Sequence, residues 1–591
     1  MYTPSLKPIT KPIRQYDLLA LDSEGSGRVG DFIIAVLFGS QGAEVFYERS
    51  KLQRHLFRRE NTQKLIIAAN LEYDYAVCFQ PFTSEYEITL VNRKWMRAVK
   101  RDGNGHTWTA FDIQRIAPLS VREMGQIVSL PKLDTPPSLV GDKNYNPPVW
   151  KCASHNRTYC VECYCVRDAE ITYKFGMMFQ SGLNDLGGEM KMTTASCAMD
   201  LFRRRFLDRE IEATQPERNT LARQSYYGGR VEAFRIGTSK NINAYDFNSL
   251  YPSVMRDCEV GDPSTYRRVD RVREPIKYLD HFGQFFGSLR LPSGFVGVLP
   301  FRQDGRLYFP VGDVSGSWTL QEVRYALSKG AHITDCKAII FAQSTFPLFS
   351  SFVDTLYKMR LEYKQAGRAD QIVVKLMMNS LYGKFAQHFE TGLQKLITPP
   401  SKYRLETYAQ DEPIEIAGRE AFLRQSQVNL QSSHIHVLWA SEITSLARIK
   451  LHKALEGNDE KIVYCDTDSV HTSGRFDTSS ALGGLKLEYK LERATYFAPK
   501  EYGGITSEGD IVQRAKGIPL AYRTQYLRDG FAMFKQPTHT MTAILRGGRI
   551  AEWVEVEKHR RSDAMNRQHD PLPDFNKARV TTYPFDTTEL D

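Results

Sequence analysis

Two groups of carboxylates in this chain stand in short motifs suited to paired divalent metal ions. The first group joins Asp246-Phe247-Asn248-Ser249-Leu250-Tyr251-Pro252-Ser253 to Tyr464-Cys465-Asp466-Thr467-Asp468-Ser469, with Lys375-x-x-x-Asn379-Ser380-Leu381-Tyr382-Gly383 between them. The chemistry these types suit is in-line displacement at phosphorus. A hydroxyl attacks an α-phosphate, charge grows on the attacking and leaving oxygens, and two ions stabilise both ends. Mg²⁺ or Mn²⁺, two ions per site, keeps hard oxygen ligands and takes one or two protein carboxylates besides the phosphates. Asp246 and Asp468 supply that pair, and Asp466 adds negative charge beside it.

The elements that must position these groups are a strand end for Asp246, a hairpin tip for Asp466 and Asp468, and a helix for the middle motif. On that helix Lys375, Asn379 and Tyr382 fall at i, i+4 and i+7 and share one face. Lys375 is placed to hold triphosphate oxygens as a compact cation. On the helix before it, Arg360 and Lys364 lie one turn apart as further phosphate contacts. Tyr382 and Tyr251 can flank a nascent base pair, and the Tyr251 ring beneath C2′ leaves no room for a ribose hydroxyl. Singly, each motif has an ordinary reading: a DTD turn, or a helix ending at Gly383. Their joint order and spacing do not.

The second group lies in the first 170 residues: Asp22-Ser23-Glu24 at a strand end, Asn70-x-x-Tyr73-Asp74 after a second strand, and Tyr164-x-x-x-Asp168 one turn apart on a helix. Asp22, Glu24, Asp74 and Asp168 can together hold two metals. An Asp-x-Glu pair alone carries little, and an amphipathic helix would account for Tyr164 and Asp168. All three in order point to a second, hydrolytic site.

These motifs resemble family B DNA polymerases, with the nearest pattern in the protein-primed branch of small phages with linear genomes. SLYPS, KLMMNSLYGKF and YCDTDS match as they stand. So does Tyr226-Tyr227-Gly228-Gly229, the branch's YxGG linker between exonuclease and polymerase, a DNA contact there. Lys500-Glu501-Tyr502 resembles the KxY element that grips the primer terminus, and Lys516 is a further primer-strand contact. The resemblance implies that Tyr164 orients the attacking water, that Asn70 and Tyr73 touch a frayed single strand, and that Ser120 in PLSVRE does the same, although Val121 stands where the family has Leu. It also implies a catalytic lysine between the second and third motifs. The segment SLVGDKNY puts Val140 at that place, with Lys143 as the substitute.

The implied activity is DNA-templated DNA synthesis with 3′→5′ proofreading, started from the hydroxyl of a terminal protein on a linear viral or mobile-element genome, with strand displacement. The implied partners are primer–template DNA, dNTPs, the terminal protein and a single-stranded DNA-binding protein. A primer-independent or repair-type family B polymerase of a mobile element fits the same motifs. A catalytically silent DNA-binding replication factor leaves every retained carboxylate unexplained.

The fold class expected is α/β multidomain: an RNase H-like exonuclease domain plus a right-hand polymerase with two inserts. The expected boundaries are 1–190 exonuclease, 191–260 first part of the palm, 261–345 first insert facing the terminal protein, 346–390 fingers, 391–435 second insert, 436–530 second part of the palm and 531–591 thumb. The second insert reads as a polar loop whose Lys395, Lys402, Tyr403, Arg404 and Tyr408 narrow a template channel. About 20 residues precede Asp22, which leaves no room for a fused primase or terminal protein.

With 591 residues, 42% hydrophobic and 25% charged, the chain can build several cores. A net charge of +9 leans toward a polyanionic partner. No apolar run reaches the roughly 20 residues of a membrane span, and the N-terminus lacks a secretory signal. A cytoplasmic monomer, in the host cytoplasm if viral, is the expectation. Nine cysteines suggest a reducing compartment, yet Cys152-x-x-His155-x-x-x-x-Cys160-x-x-Cys163 has zinc-ligand types at knuckle-like spacing.

Overall fold

The structure is a computed structural model that describes residues 4–589 apart from 26–31, 80–83, 92–93, 141–144, 388–392, 400–401, 403, 417–418, 426–431, 538–552, 562–563 and 571–578. Two large sheets carry the two carboxylate groups.

The first sheet has ten strands, with Asp17–Gly25 parallel to Lys64–Ala68 and antiparallel to Phe32–Gly39. The run DLLALDSEG alternates faces with period two. Leu18 and Ala20 pack with Phe175, Phe179 and Leu183 of the helix Val161–Leu186, while Leu19 and Leu21 join Leu71 and Tyr75 in a second core. Both faces are therefore buried. Asp22 and Glu24 continue the Leu18–Ala20 face toward the long helix, whose inner stripe runs Tyr164, Asp168, Phe175, Phe179. Helix and sheet approach closely at Gly176, where a Cβ would meet Ile67 Cδ1 at 2.4 Å.

The second sheet has eight strands. Arg235–Phe247 lies between Ser469–Thr472 and Leu485–Ala498, and Ile462–Asp466 pairs with Ser469–Thr472. Helices Leu250–Asp257, Ser350–Gln365, Gln371–Phe385 and Val437–Leu455 share one core through Met255, Phe352, Met377 and Trp439. Between them in sequence, a four-stranded sheet (Tyr266–Asp270, His332–Ala342, Gly283–Leu291, Gly312–Thr319) and the helix Leu320–Ser328 enclose their own core of Phe285, Leu289, Trp318 and Val323. The hairpin Phe531–Pro537 with Trp553–His559 follows, and Arg579–Thr581 returns to pair with Arg235–Gly237.

The polar loop expected across 391–435 is corrected. Its described residues include three strands, Leu393–Thr398, Glu412–Ile416 and Arg419–Gln425, which extend the first sheet by pairing Leu393–Thr398 with Tyr86–Val91. The strand Glu85–Val91 would otherwise present an open edge, and the added strands cover it. Tyr408 stacks on Phe422 at 4.5 Å and is buried, and Lys395 Nζ lies 3.2 Å from Glu87 Oε1. Tyr408 thus packs onto the sheet from the turn Leu405–Tyr408, and Lys395 is held in an ion pair at the sheet surface. Lys402 and Arg404 are exposed, and Tyr403 lies outside the described residues.

Candidate active sites

Asp246 is the penultimate residue of its strand and sits opposite Ser469 on one side and Lys486 on the other. The Phe247 N–H donates to the Asp468 carbonyl at 2.8 Å, which locks the strand end to the hairpin tip. Thr467 makes that tip with φ 60°, and its N–H donates to the Arg230 carbonyl at 2.7 Å. Gly229 is required by this approach, because a Cβ there would meet Thr467 Cγ2 and Oγ1 at 2.8 Å. Gly228 faces open space instead. The linker is held from behind by Arg448, whose Nη1 donates to the carbonyls of Tyr227 (2.7 Å) and Gly228 (3.0 Å), and by Arg302, whose Nη2 donates to the Tyr226 carbonyl.

Burial first, and then Asp468 and Glu488, push the Asp246 carboxyl up to about 7. Asp468 is raised by burial and by Asp466. Like-charged acids this close favour a proton or a metal cation between them, and the hard oxygen donors suit Mg²⁺. They face a cleft of about 560 Å³ that Glu488, Lys500, Tyr502, Arg514, Lys516 and Arg523 help to line. Lys500, at φ 64°, donates its N–H to Tyr464 Oη and holds its Nζ 3.3 Å from Asp466 Oδ1. Tyr502 is only 5% exposed; its ring packs with Tyr464 and Tyr496, and the residue lines the cleft.

Above this floor Tyr251 and Tyr382 stack at 4.6 Å and 19°. Lys375 is exposed, and its charge acts on both Asp246 and Asp468. Asn379 is half-buried one turn further along the same helix. A neighbouring cleft of about 520 Å³ gathers Ser249, Arg360, Lys364 and Lys486, with Arg360 Nη1 donating to Ser249 Oγ at 3.0 Å. Lys364 is held below its ordinary value by burial, then by Arg360, Lys486 and Lys375. Cations that repel one another in this way suit an anion such as a triphosphate. Lys486, Glu488, Arg514 and Arg523 escaped the sequence reading. Lys486 and Glu488 sit in KLEYK, and only the pairing of Asp246 with Lys486 brings them to the metal-type carboxylates.

At the other sheet, Asp22 and Glu24 of its strand Asp17–Gly25 meet Asp74 and Asp168 of the helices Leu71–Phe79 and Val161–Leu186. Asp22 is pushed up to about 8 by burial and then by Asp168. Burial, with the neighbouring acids, also raises Glu24 and Asp74. Asp22 Oδ2, Asp74 Oδ2 and Asp168 Oδ1 are buried without a hydrogen-bond partner among the described residues. Buried acceptors of this kind are costly unless a cation answers them, so the donor set fits divalent metal. Ser23 Oγ donates to Asp74 Oδ1 at 2.9 Å, and the Gly25 N–H donates to Tyr73 Oη. Asn70 takes φ 74° just before the helix Leu71–Phe79 and is exposed. Ser120 caps a different helix, its hydroxyl bonded both ways with Glu123, which gives it a structural task.

Lys143 lies outside the described residues. Among the described residues, the lysine that reaches the site is Lys132. Its Nζ donates to Tyr164 Oη at 2.8 Å, pairs with Asp168 and sits 4.3 Å from the Tyr164 ring centre, while Thr135 Oγ1 lies 3.0 Å from the same hydroxyl. Lys132 stands in PKLDT, 11 residues before Lys143. Its residue type and its place between two carboxylate motifs are shared with Lys143 and with other basic residues, so the sequence held no distinguishing signal. Cys152, His155, Cys160 and Cys163 also come together, beside the start of the same long helix.

A family model described as DNA polymerase type B, organellar and viral, matches residues 142–473. A probable DNA polymerase of Ascobolus immersus is 25% identical over 374 residues, covering 60% of this chain and 30% of that protein. The DNA-directed DNA polymerase of Enterobacteria phage PRD1 is 29% identical over 310 residues, covering 51% and 53%. This chain therefore spans about a third to a half of the length of these relatives. In fold it is similar to the phi29 DNA polymerase solved with primer–template DNA and incoming nucleotides, with a TM-score of 0.69 at 15% identity, covering 92% of this chain and 99% of that one. The matched segment takes in the Tyr164–Asp168 helix turn, the linker, Asp246, the stacked tyrosines and the Asp466–Asp468 hairpin, and on that match the chain belongs to the type B DNA polymerases of organelles and viruses.

Proposed function

We propose that the chain is a DNA-directed DNA polymerase with a separate 3′→5′ exonuclease. One observation carries the reading: Asp246 and Asp468 meet at a cleft beside the stacked Tyr251 and Tyr382, with Lys364, Arg360, Lys375 and Lys486 gathered next to it. A floor that attracts divalent cations, a cationic wall and a flat aromatic pair are what a metal-bound nucleoside triphosphate needs.

Asp246 and Asp468 would hold Mg²⁺ in this site, and Asp22, Glu24, Asp74 and Asp168 in the other, where bound ions neutralise the charge that grows on phosphoryl oxygens. Lys375, Arg360 and Lys364 bind the triphosphate, and Asn379 lies along the same face. Tyr251 excludes the ribose hydroxyl. Tyr226, Gly228, Lys500, Lys516 and Tyr502 follow the DNA, with Arg514 and Arg523 added to that set. Tyr164, held by Lys132 and Thr135, orients water for hydrolysis, and Asn70 and Tyr73 receive the frayed strand.

The finer reading is that synthesis starts from a protein hydroxyl and displaces the downstream strand. The separately cored unit at 266–342 supports the first part, because it offers an independent face beside the linker. The strands within 393–425, paired onto the exonuclease sheet, support the second by supplying a wall of paired strands in place of a loop. Incubation with labelled dATP, template and candidate terminal proteins tests the priming. Nucleotide covalently attached to protein is the expected result. Extension from DNA primers alone, with no labelled protein for any candidate, contradicts it.

A further inference from the structure

We propose that Cys152, His155, Cys160 and Cys163 bind one zinc ion that clamps the first turn of the helix Val161–Leu186 to the segment carrying Lys132. The sulfurs of Cys152, Cys160 and Cys163 lie 3.8, 3.5 and 3.4 Å from His155 Nδ1, and all four ligand atoms fall within 4.8 Å of one another. With Zn–S near 2.3 Å and Zn–N near 2.0–2.1 Å, a tetrahedron has S···N edges of about 3.5 Å and S···S edges of about 3.8 Å. The side chains are thus already gathered to the size of a zinc site. All three cysteines are free, whereas a disulfide would bring two sulfurs to about 2 Å.

The surroundings point the same way. His155 Nε2 lies 3.6 Å from Glu162 Oε1, and the other Glu162 oxygen accepts from the Tyr47 hydroxyl. A carboxylate on the Nε2 side leaves Nδ1 as the nitrogen that faces the thiols, the outer-sphere arrangement that metal-bound histidines use. The turn itself needs a restraint. Asn156 and Tyr159 take φ 52° and 50°, a region that side-chain-bearing residues disfavour, Tyr strongly. Three thiolates and one imidazole leave no open position, which marks a structural ion and favours zinc over harder metals.

The clamp has a consequence for the hydrolytic site. Cys160 is the N-cap residue of the long helix, and Cys163 directly precedes Tyr164. On the other arm, Trp150 Nε1 donates to the Asp134 carbonyl at 2.8 Å, beside Lys132 and Thr135, and Tyr159 Oη donates to the Pro147 carbonyl. One ion would therefore fix both partners of the Lys132–Tyr164 contact. This clamp rests on the exonuclease reading; zinc content does not.

The test is elemental analysis of the full chain, purified without added metal and dialysed against a weak chelator, with digestion and extension assayed on the same preparations. The expected result is about one zinc per chain, replaceable by cobalt with the visible bands of a tetrahedral thiolate site. C152S/C160S should lose the zinc and digest single-stranded DNA about tenfold or more slowly at unchanged extension, while His155→Cys keeps both zinc and digestion. Should the double variant misfold, a zinc-selective chelator in the presence of excess Mg²⁺ must lower digestion reversibly. Wild-type protein without zinc overturns the site. Zinc lost with digestion intact overturns the clamp. Zinc present in protein that never digests DNA leaves the site standing and removes the exonuclease reading instead.

Discussion

Replacing Gly229 by alanine tests how tightly the linker is fitted to the hairpin that carries Asp466 and Asp468. The added Cβ would sit 2.8 Å from both Thr467 Cγ2 and Oγ1 and 3.2 Å from its Cβ, against ordinary contact from 3.4 Å. Rotation of the threonine cannot relieve this, because two of its branches are in the way. Nor can the turn retreat freely: Thr467 is at φ 60°, its N–H is bonded to the Arg230 carbonyl, and its hydroxyl donates to Asp466 Oδ1 at 3.1 Å. The tip must move by about 0.6 Å, the shortfall from ordinary contact. Overpacking of this kind costs about 1–3 kcal/mol of stability. A misplacement approaching 1 Å costs about 10²-fold in rate, so incorporation should fall by about 10- to 100-fold. Single-turnover incorporation measures this, with digestion of single-stranded DNA as the internal control on the other sheet. Thr467→Gly removes the obstacle and suits the left-handed backbone. The double variant should recover most of the loss, with a coupling of about 1 kcal/mol or more. Incorporation by Gly229→Ala within about threefold of wild type, or no recovery in the double variant, refutes the packing argument.

Two further outcomes follow from the hydrolytic site. Lys132→Met should lower digestion by about 10²-fold and leave extension unchanged; equal digestion rates on single-stranded DNA would return the role to another lysine. The second concerns pH. Asp22, at about 8, and the raised Glu24 and Asp74 hold protons that the unfolded chain releases near pH 4. The stability they contribute is complete below that unfolded value and is lost as pH rises through about 8. His436 and His471, depressed to about 3 by burial, are neutral in both states above about pH 7 and do not oppose the trend there. The melting temperature of metal-free protein should therefore fall from about pH 7 to about 8 and level off above that, and Mg²⁺ should flatten the slope. A flat profile without metal would show that the acids are not held close together.

The motifs that mark ends of elements were legible in the sequence. Asp22 follows an apolar strand run and Asp246 lies at the end of its strand, Asp466 and Asp468 flank a hairpin tip, and Lys375, Asn379 and Tyr382 keep helical spacing. Each signal is local. What was missed depends on pairing between distant segments. The strands at 393–425 are short and mixed in polarity, and only the edge offered by Glu85–Val91, some 300 residues earlier, shows what they cover. Lys132 cannot be told from Lys143 by type or by placement between motifs, because the distance to Tyr164 is set by how the intervening segment folds back. Tyr502 keeps its place in the KxY pattern, but its burial among Tyr464 and Tyr496 follows from sheet register. The cysteine cluster was readable as ligand types, while the backing by Glu162 and Tyr47 was not.

The central claim is that two carboxylate clusters on two sheets run two independent phosphoryl-transfer reactions, and reciprocal variants test it most directly. Asp468→Asn and the pair Asp22→Asn with Glu24→Gln are to be assayed side by side for primer extension and for digestion of single-stranded DNA, with melting curves confirming the fold. Removing a metal ligand removes several kcal/mol of transition-state stabilisation. Asp468→Asn should therefore abolish extension and retain digestion, and the pair should abolish digestion and retain extension. Loss of both activities in either well-folded variant, or near wild-type extension by Asp468→Asn, would contradict the account.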